Sequence, residues 1–480
     1  MPWKAVSPIE VYKLLPRTNC KECGEENCMA FAVKLVNMET KLDLCKPLLT
    51  DPKYKTNYEK LRGMLSPMVK EIEIKGLKKS VKIGGEYVMH RHELTYINPT
   101  AIAIDVDDKM SKDDIVKRIE FLEQFEYEYI GRKLHLDLIA VRSVSNDPDK
   151  FKETVKFIVE NTGLPMVLCS LNPKIIEAGL SELSDSKPLV YAATKDNWKE
   201  MAELVRKYEV PIVLFSPGDL NTLTTLVNTY LEMGIEDLAL DPGTFVGKGL
   251  AYSINVFTKL RWKACNEDYK LAGFPLVATP LVAWKMVNGD TKQKMWWETI
   301  TAIALMTRYA DLLIMHSLEG WVYLPVVMWR FNLYTDPRRP VAVTPGVRVL
   351  GNPDDKSPVL VTGNYALTFS LVTSDIQSAK VDCYLLVVDT EGISIEAAVP
   401  GRKFTADAIA EALSEAKVQD MVKHKVMIIP GKAARLAGDI EDASGWKVLV
   451  GPLDSKDIGK FVSEKWKPGV LKEIFGEDVL

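Results

Sequence analysis

The sequence lacks an excess of charge of either sign. Its 61 basic and 65 acidic residues leave a formal net charge of −4 over 480 residues, so no polyanion-binding surface is expected and nucleic acid is not an expected partner. A secretory leader is not expected either, because MPWKAVSPIEVYKLL carries no basic segment followed by an unbroken apolar run. Long apolar stretches are equally scarce. TAIALMTRYADLLIM is the most apolar of them, but Arg308 and Asp311 interrupt it, which argues against a membrane span and for a buried helix followed by a strand. These absences predict a cytoplasmic protein. P-loop, metal-triad and nucleophile-elbow motifs are absent as well, so no hydrolytic or nucleotide chemistry announces itself. No histidine precedes His90.

What is present begins with cysteine. Four of the seven, Cys20, Cys23, Cys28 and Cys45, fall within NCKECGEENCMAFAVKLVNMETKLDLCKP. In a reducing compartment such a cluster points to metal binding rather than to disulfides. Structural zinc sites usually bring two close pairs, and only Cys20 and Cys23 make one here. An iron-sulfur cube takes thiolates at separate corners, so it accepts three ligands from one loop and a fourth from beyond a helix. MAFAVKLVNMET has that helix's apolar spacing, and Lys46-Pro47 stops the chain after the last ligand. A [4Fe-4S] cluster is expected, with zinc and free thiols as the alternatives. Gly24 is expected to let backbone amides approach the sulfurs. Cys169, Cys265 and Cys383 stand alone in apolar surroundings and read as buried structural thiols.

At about 150 residues per domain the length suggests about three domains, and a composition of 47% apolar and 26% charged residues is that of a globular chain. From residue 100 onward one unit repeats: a short β-branched run, a turn, then an amphipathic helix with an Asp or Asn cap. Eight such runs lie at 101–106, 136–144, 165–171, 189–194, 211–217, 238–243, 275–280 and 310–317. They describe a TIM (β/α)8 barrel, an open doubly wound sheet being the alternative. Polar residues just after the strands would occupy the functional face: Asp105, Asp107, Arg142, Ser143, Asn172, Asp196, Asn197, Ser216, Asp219, Asp241 and His316. His316 stands alone and reads as a satisfied structural histidine, and Asp241-Pro242-Gly243 reads equally as a turn.

Near residue 330 the pattern breaks at YTDPRRPVAVTPGVRVLGNPDDKSP, a linker rich in Pro and Gly. Residues 335–358 are the expected hinge. Four apolar strands follow, VLVTG, YLLVVDT, KVMIIPG and WKVLVGP, separated by helices. They predict a small flavodoxin-like α/β domain whose strand ends, rich in glycine and small polar residues, line one edge where a flat or extended cofactor would bind. The organisation expected is an α/β multidomain chain: residues 1–58 a small N-terminal [4Fe-4S] module, 59–334 the central barrel, and 335–480 the linker with the C-terminal domain.

The segments SPIEVYKLLPRTNCKECGEENCMAFAVKL, VLVTGNYALTF, LLVVDTEGIS and IIPGKAARLAGDIE, in that order around a barrel, resemble the large-subunit family of corrinoid iron-sulfur proteins. In archaea that family is represented by the gamma subunit of the acetyl-CoA decarbonylase/synthase complex. The resemblance covers essentially the whole chain. It implies a corrinoid (cobamide) cofactor whose Co(I) takes a methyl group from a methyl-tetrahydropterin and passes it to the nickel centre of an acetyl-CoA synthase subunit. The [4Fe-4S] cluster would return Co(II) to Co(I), and the barrel would pair with a homologous barrel in a small (delta) subunit to give a heterodimer. By matching positions, the corrinoid is assigned to Thr362, Gly363, Asn364, Thr368, Thr390, Glu391, Gly392, Ser394, Gly431, Ala434, Arg435, Leu436 and Gly451. Many corrinoid domains carry D-x-H-x-x-G, whose histidine binds cobalt from below. Here the C-terminal part has only His424, outside any such motif, and omitting that strong ligand would ease reduction to Co(I).

Overall fold

The computed structural model describes residues 6–476. They form two compact units, one holding the residues up to Phe125 together with His135–Tyr334, the other Glu126–Leu134 together with the residues from Thr335 onward. The cysteine module and the barrel therefore share one unit. A short piece from within the barrel's span belongs to the other.

In the first unit, eight parallel strands close on themselves: β1 (Ala101–Asp107), β2 (Leu138–Arg142), β3 (Met166–Cys169), β4 (Leu189–Ala193), β5 (Ile212–Phe215), β6 (Leu238–Asp241), β7 (Leu276–Ala278) and β8 (Ala310–Met315). They pair in chain order and β8 pairs back onto β1, so the open-sheet alternative is excluded and each of the eight apolar runs is a barrel strand. The runs are continuously apolar because both faces are covered, one by the barrel interior and one by helices. Helices begin where a side chain accepts the free amides of the first turn, as at Ser111, Asp147, Asn172, Asp219 and Asp290. A hairpin, Ile72–Lys75 with Ser80–Ile83, packs Ile72, Ile74 and Ile83 into the same cluster as Ala101, Leu138 and Leu189 at the strand starts, which closes that end of the barrel with apolar side chains. Among the described residues no helix is long and apolar enough to cross a membrane.

The second unit holds a five-stranded sheet: β9 (Gly346–Leu350), β10 (Val359–Gly363), β11 (Cys383–Val388), β12 (Val426–Ile429) and β13 (Lys447–Val450), in the order β9-β11-β10-β12-β13. The last four are the expected strands and run parallel; β9 is an additional antiparallel edge strand. It lies inside the stretch read as linker. Its pattern is weak because an edge strand has one side in water, and Val349 is 61% exposed. The connection between the units is accordingly shorter than residues 335–358. Glu126–Leu134 joins this unit as a small antiparallel hairpin, Tyr127–Tyr129 with Arg132–Leu134.

The first unit also buries charge. Arg261 donates to Asp311 at 2.8 Å with both side chains almost fully covered. Nearby Glu86 is 2% exposed, and burial raises its carboxyl from 4.5 to about 8, the Arg261 charge opposing that rise. Folding thus holds a proton that the unfolded chain releases. The stability it contributes is complete below about pH 4.5 and is lost as pH rises to about 8. Glu86→Gln is expected to flatten this dependence and to be the more stable protein above that range, with urea unfolding at the two pH extremes as the measurement. Parallel profiles for the two proteins would contradict a proton held at Glu86.

Candidate functional site

The cysteine module is built from short, well-capped pieces. Helix Pro8–Leu14 starts at a Ser7/Glu10 capping box with proline in its first turn. The loop after it turns sharply, with Arg17, Asn19, Lys21 and Gly24 all in the left-handed region. Asn19 Oδ1 accepts the Cys28 amide at 2.9 Å, and Asn27 accepts the Met29 and Ala30 amides at 3.0 and 2.8 Å, which fixes Cys28 as the first residue of helix Cys28–Val36. Cys45 opens the next short helix, Lys46–Thr50. Cys28 and Cys45 are buried beside Val11, Phe31, Leu35 and Leu48, Cys23 is half-buried and Cys20 is exposed. Gly24 is required for its backbone angle rather than for space, since a Cβ there would meet nothing within 4 Å.

Burial pushes the Cys45 thiol above its ordinary value. The Leu48 amide opposes this and Cys23, Cys28 and Cys20 add to it, so the four sulfurs lie within electrostatic reach of one another. Zinc would draw all four sulfurs to about 2.3 Å from one point, whereas a cube takes them at separate corners. The donor set fits a cube, with the Cys20 corner facing solvent.

In the second unit, β10 pairs with β11 on one side and β12 on the other, so the strand order reverses between β10 and β12. Open α/β sheets bind ligands at that point, outside the carboxyl ends of the strands. A cavity of about 540 Å³ lies there. Of the residues expected to hold a cofactor, Thr362, Thr368, Ser394 and Gly451 line it. Gly431 and Gly451 sit where two strand ends touch, a Cβ on Gly431 falling 2.7 Å from the Gly451 carbonyl. Asn364 and Thr390 are buried in hydrogen bonds to each other, Gly363 packs on Thr390, and Glu391 pairs with Lys403 at 2.5 Å. Arg435 and Leu436 border a separate shallow depression with Arg402 and Asp439, not the cavity, and Ala434 is exposed.

Sequence reasoning missed most of the apolar wall. Leu371, Val372, Ile429, Leu453 and Phe461 line the cavity, and Lys432 and Glu396 meet as an ion pair beside it. Leu367, Leu371 and Leu453 are 58%, 56% and 74% exposed, apolar surface that a large flat ligand would cover. Leu367 and Leu371 fall four apart on helix Ala366–Ser378, a signal that could have marked this face. His424 is a core residue: Nε2 lies 2.9 Å from the Ser357 carbonyl, Nδ1 accepts the Val426 amide at 3.3 Å, and Trp466 packs on the ring. Burial lowers its pKa. Both ring nitrogens are engaged.

The barrel rim gathers some of its candidates and not others. Asn172 and Asp219 are helix caps, Asn197 holds the Thr194 amide, Asp196 donates its amide to Thr194, and Ser143 bonds Asp108. The Ser216 amide donates to the Asp241 carbonyl. Asp241 accepts from the Tyr191 hydroxyl at 2.8 Å, and burial raises its carboxyl to about 7 against that bond. Asp105, fully buried, joins His316 Nδ1 at 2.6 Å and Arg142 Nε at 2.6 Å, with Arg118 at 3.6 Å; Asp107 lies 3.6 Å from Arg142. Burial would raise the Asp105 carboxyl, but His316, Arg142 and Arg118 outweigh it and hold it below its ordinary value. His316 is therefore part of a network rather than isolated. Of the lone cysteines, Cys265 and Cys383 are buried as expected, while Cys169 is half-buried, packed on the barrel-interior cluster at the end of β3.

Comparison with known proteins gives two family matches. The model for the CO dehydrogenase/acetyl-CoA synthase delta subunit matches residues 71–462, and the model named FeS, for an Fe-S cluster, matches residues 15–47. The acetyl-CoA decarbonylase/synthase complex subunit gamma of Methanosarcina acetivorans is 45% identical over 97% of this chain and 100% of its own length. The corresponding subunit of Archaeoglobus fulgidus is 41% identical over 97% and 99%. Among solved structures, the dihydropteroate synthase of Xanthomonas albilineans in complex with 7,8-dihydropteroate aligns at a TM-score of 0.37 and 15% identity, over 50% of this chain and 94% of that one, a likeness too slight to argue from.

Replacing Asp105 by alanine would leave Arg142 and Arg118 facing a hole where their carboxylate stood. The variant is expected to lose about 3 kcal/mol of stability, the scale for breaking a buried ion pair on one side. Urea unfolding measures it, and a loss under about 0.5 kcal/mol would mean that the network is only a surface feature.

Proposed function

Because this chain belongs to the CO dehydrogenase/acetyl-CoA synthase delta subunit family, we propose that it serves as the methyl-carrying subunit of an acetyl-CoA decarbonylase/synthase complex, the large subunit of a corrinoid iron-sulfur protein. The observation that carries the reading is the cavity at the switch point of the C-terminal sheet, with its apolar wall and exposed leucines. Its strand order, second-first-third-fourth among the parallel strands, is flavodoxin-like. A corrinoid held there would supply a methyl-accepting cobalt centre, with a methyl-tetrahydropterin as donor and the nickel centre of an acetyl-CoA synthase subunit as acceptor, and a [4Fe-4S] cluster would supply reducing electrons.

The chain's own residues prepare for this. Cys20, Cys23, Cys28 and Cys45 would hold the cluster, Cys28 and Cys45 from a buried floor, Cys23 half-buried and Cys20 from the solvent side, where electrons can enter. Thr362, Thr368, Ser394 and Gly451 would meet the corrinoid, while Leu367, Leu371 and Leu453 would shed water against it. His424 is held by Ser357 and Val426, so this unit offers cobalt no imidazole from its only histidine. A small delta-type subunit is the proposed heterodimer partner.

The barrel rim favours a second reading, in which the barrel itself takes the pterin and acts as a methyltransferase without a corrinoid of its own. Asp105 orients His316 on the face where barrel enzymes work. Metal content separates the two. Anaerobically purified protein is expected to contain about one cobalt and about four irons per chain, with a Co(I) absorption band on treatment with a low-potential reductant. Iron without cobalt, after corrinoid reconstitution with the partner subunit, would favour the barrel enzyme.

Cys20→Ala is expected to leave corrinoid binding intact and to abolish reductive recovery from Co(II), followed by absorption. Recovery at the wild-type rate would refute the division of labour between the two cofactors.

A further inference from the structure

One buried residue ties the two loops that border the cavity to a third segment. Asn364 is 3% exposed. Its Oδ1 accepts the Thr390 amide at 2.9 Å and the Gly392 amide at 3.0 Å and lies 2.8 Å from the Thr390 hydroxyl, while its Nδ2 donates to Asp389 at 2.8 Å. The β10 end, which gives Thr362 to the cavity wall, is thereby bound to the loop that gives it Ser394. The backbone of the same residue reaches a third segment. The Asn364 carbonyl accepts the Val343 amide at 2.8 Å, and Ala342 bridges to Tyr365. Gly392, in the left-handed region at φ +75°, completes the contact: a Cβ there would stand 2.7 Å from the Pro340 carbonyl and 3.2 Å from Ala342.

Pro340–Val343 belongs to the stretch by which the chain enters the second unit. It is not a free tether, since it is hydrogen-bonded and packed onto the two loops that border the cavity. The inserted hairpin presses on it from elsewhere in the same unit, Gly131 having no room for a Cβ beside Val343. Resting on the reading of the cavity as a corrinoid site, we infer that Asn364 and Gly392 are positioning residues, and that the 340–343 strap and the cofactor loops order as one. Filling the cavity fixes the strap, and displacing the strap loosens the hold on the cofactor. The two effects are reciprocal because they are one coupling free energy. The knot supplies its contiguous contacts.

The test uses the full chain with aquocobalamin as the probe, reading hydrogen exchange across residues 336–346 and the cobalamin dissociation rate. In the wild type, loading is expected to slow exchange in the strap. In Gly392→Ala the strap is expected to exchange equally fast loaded and free, and cobalamin to leave about tenfold faster, the scale of losing about one buried hydrogen bond. A purely structural role for Gly392 would lower the melting temperature of free and loaded protein alike, with strap protection still responding to cobalamin. That result would overturn the inference, as would wild-type binding with no change in strap exchange. If the wild type binds no cobalamin at all, the corrinoid reading falls and the inference with it.

Discussion

Whether a sheet closes decides where each unit can place chemistry. In the first unit β8 pairs with β1, so the barrel has no strand edge and its interior fills with side chains. At the rim Asp105 pairs with Arg142 and His316, and deeper in the same unit Arg261 pairs with Asp311. In the second unit the sheet stays open and its order reverses between β10 and β12. That reversal separates the connections on either side of β10 and leaves a crevice that their side chains do not fill. Closure gives a scaffold whose charges are spoken for, and openness gives a cavity with apolar surface left uncovered.

The cysteine module follows a third logic. It is too small to bury much by itself, and its core of Val11, Phe31, Leu35, Leu48 and Leu61 includes two of the four cysteines. A bound cluster would therefore be structural as well as electronic, since metal ligation and folding free energy are the same quantity in modules of this size.

Much of the fold was legible in the sequence because buried parallel strands leave long apolar runs. All eight barrel strands and four of the five C-terminal strands could be read that way. β9 was hidden by its position at an edge, where GVRVL needs no continuous apolar pattern and sits among Pro and Gly. Nor could periodicity show that residues 126–134 belong to the distant unit, because membership is decided by what the hairpin packs against. At the candidate sites, spacing singled out the four cysteines, and the fold sets Cys23, Cys28 and Cys45 in or against one small core. Of the corrinoid positions carried over from the resemblance, Thr362, Thr368, Ser394 and Gly451 reach the cavity, while Asn364 and Thr390 spend their polar atoms within the loops, on each other and on Asp389, Gly392 and Ile393. Motif matching finds loops, and only packing says which residues of a loop face inward. Leu453 falls just past WKVLVGP and Phe461 on the helix Ile458–Lys465 after it, outside the segments that carry the resemblance, so matching those could not find them.

The inserted hairpin has a consequence for how the protein is made. Glu126–Leu134 leaves the ribosome about 200 residues before Thr335, the first residue of the rest of its unit, a wait on the order of 10–40 seconds at ordinary rates of synthesis. During that interval the barrel can assemble around its ends while the hairpin has nothing to pack on. The second unit is thus the last to complete, and it must be assembled onto a piece already anchored in the first. A polypeptide beginning at Thr335 would be missing part of its own fold, so the second unit cannot be excised by a single cut.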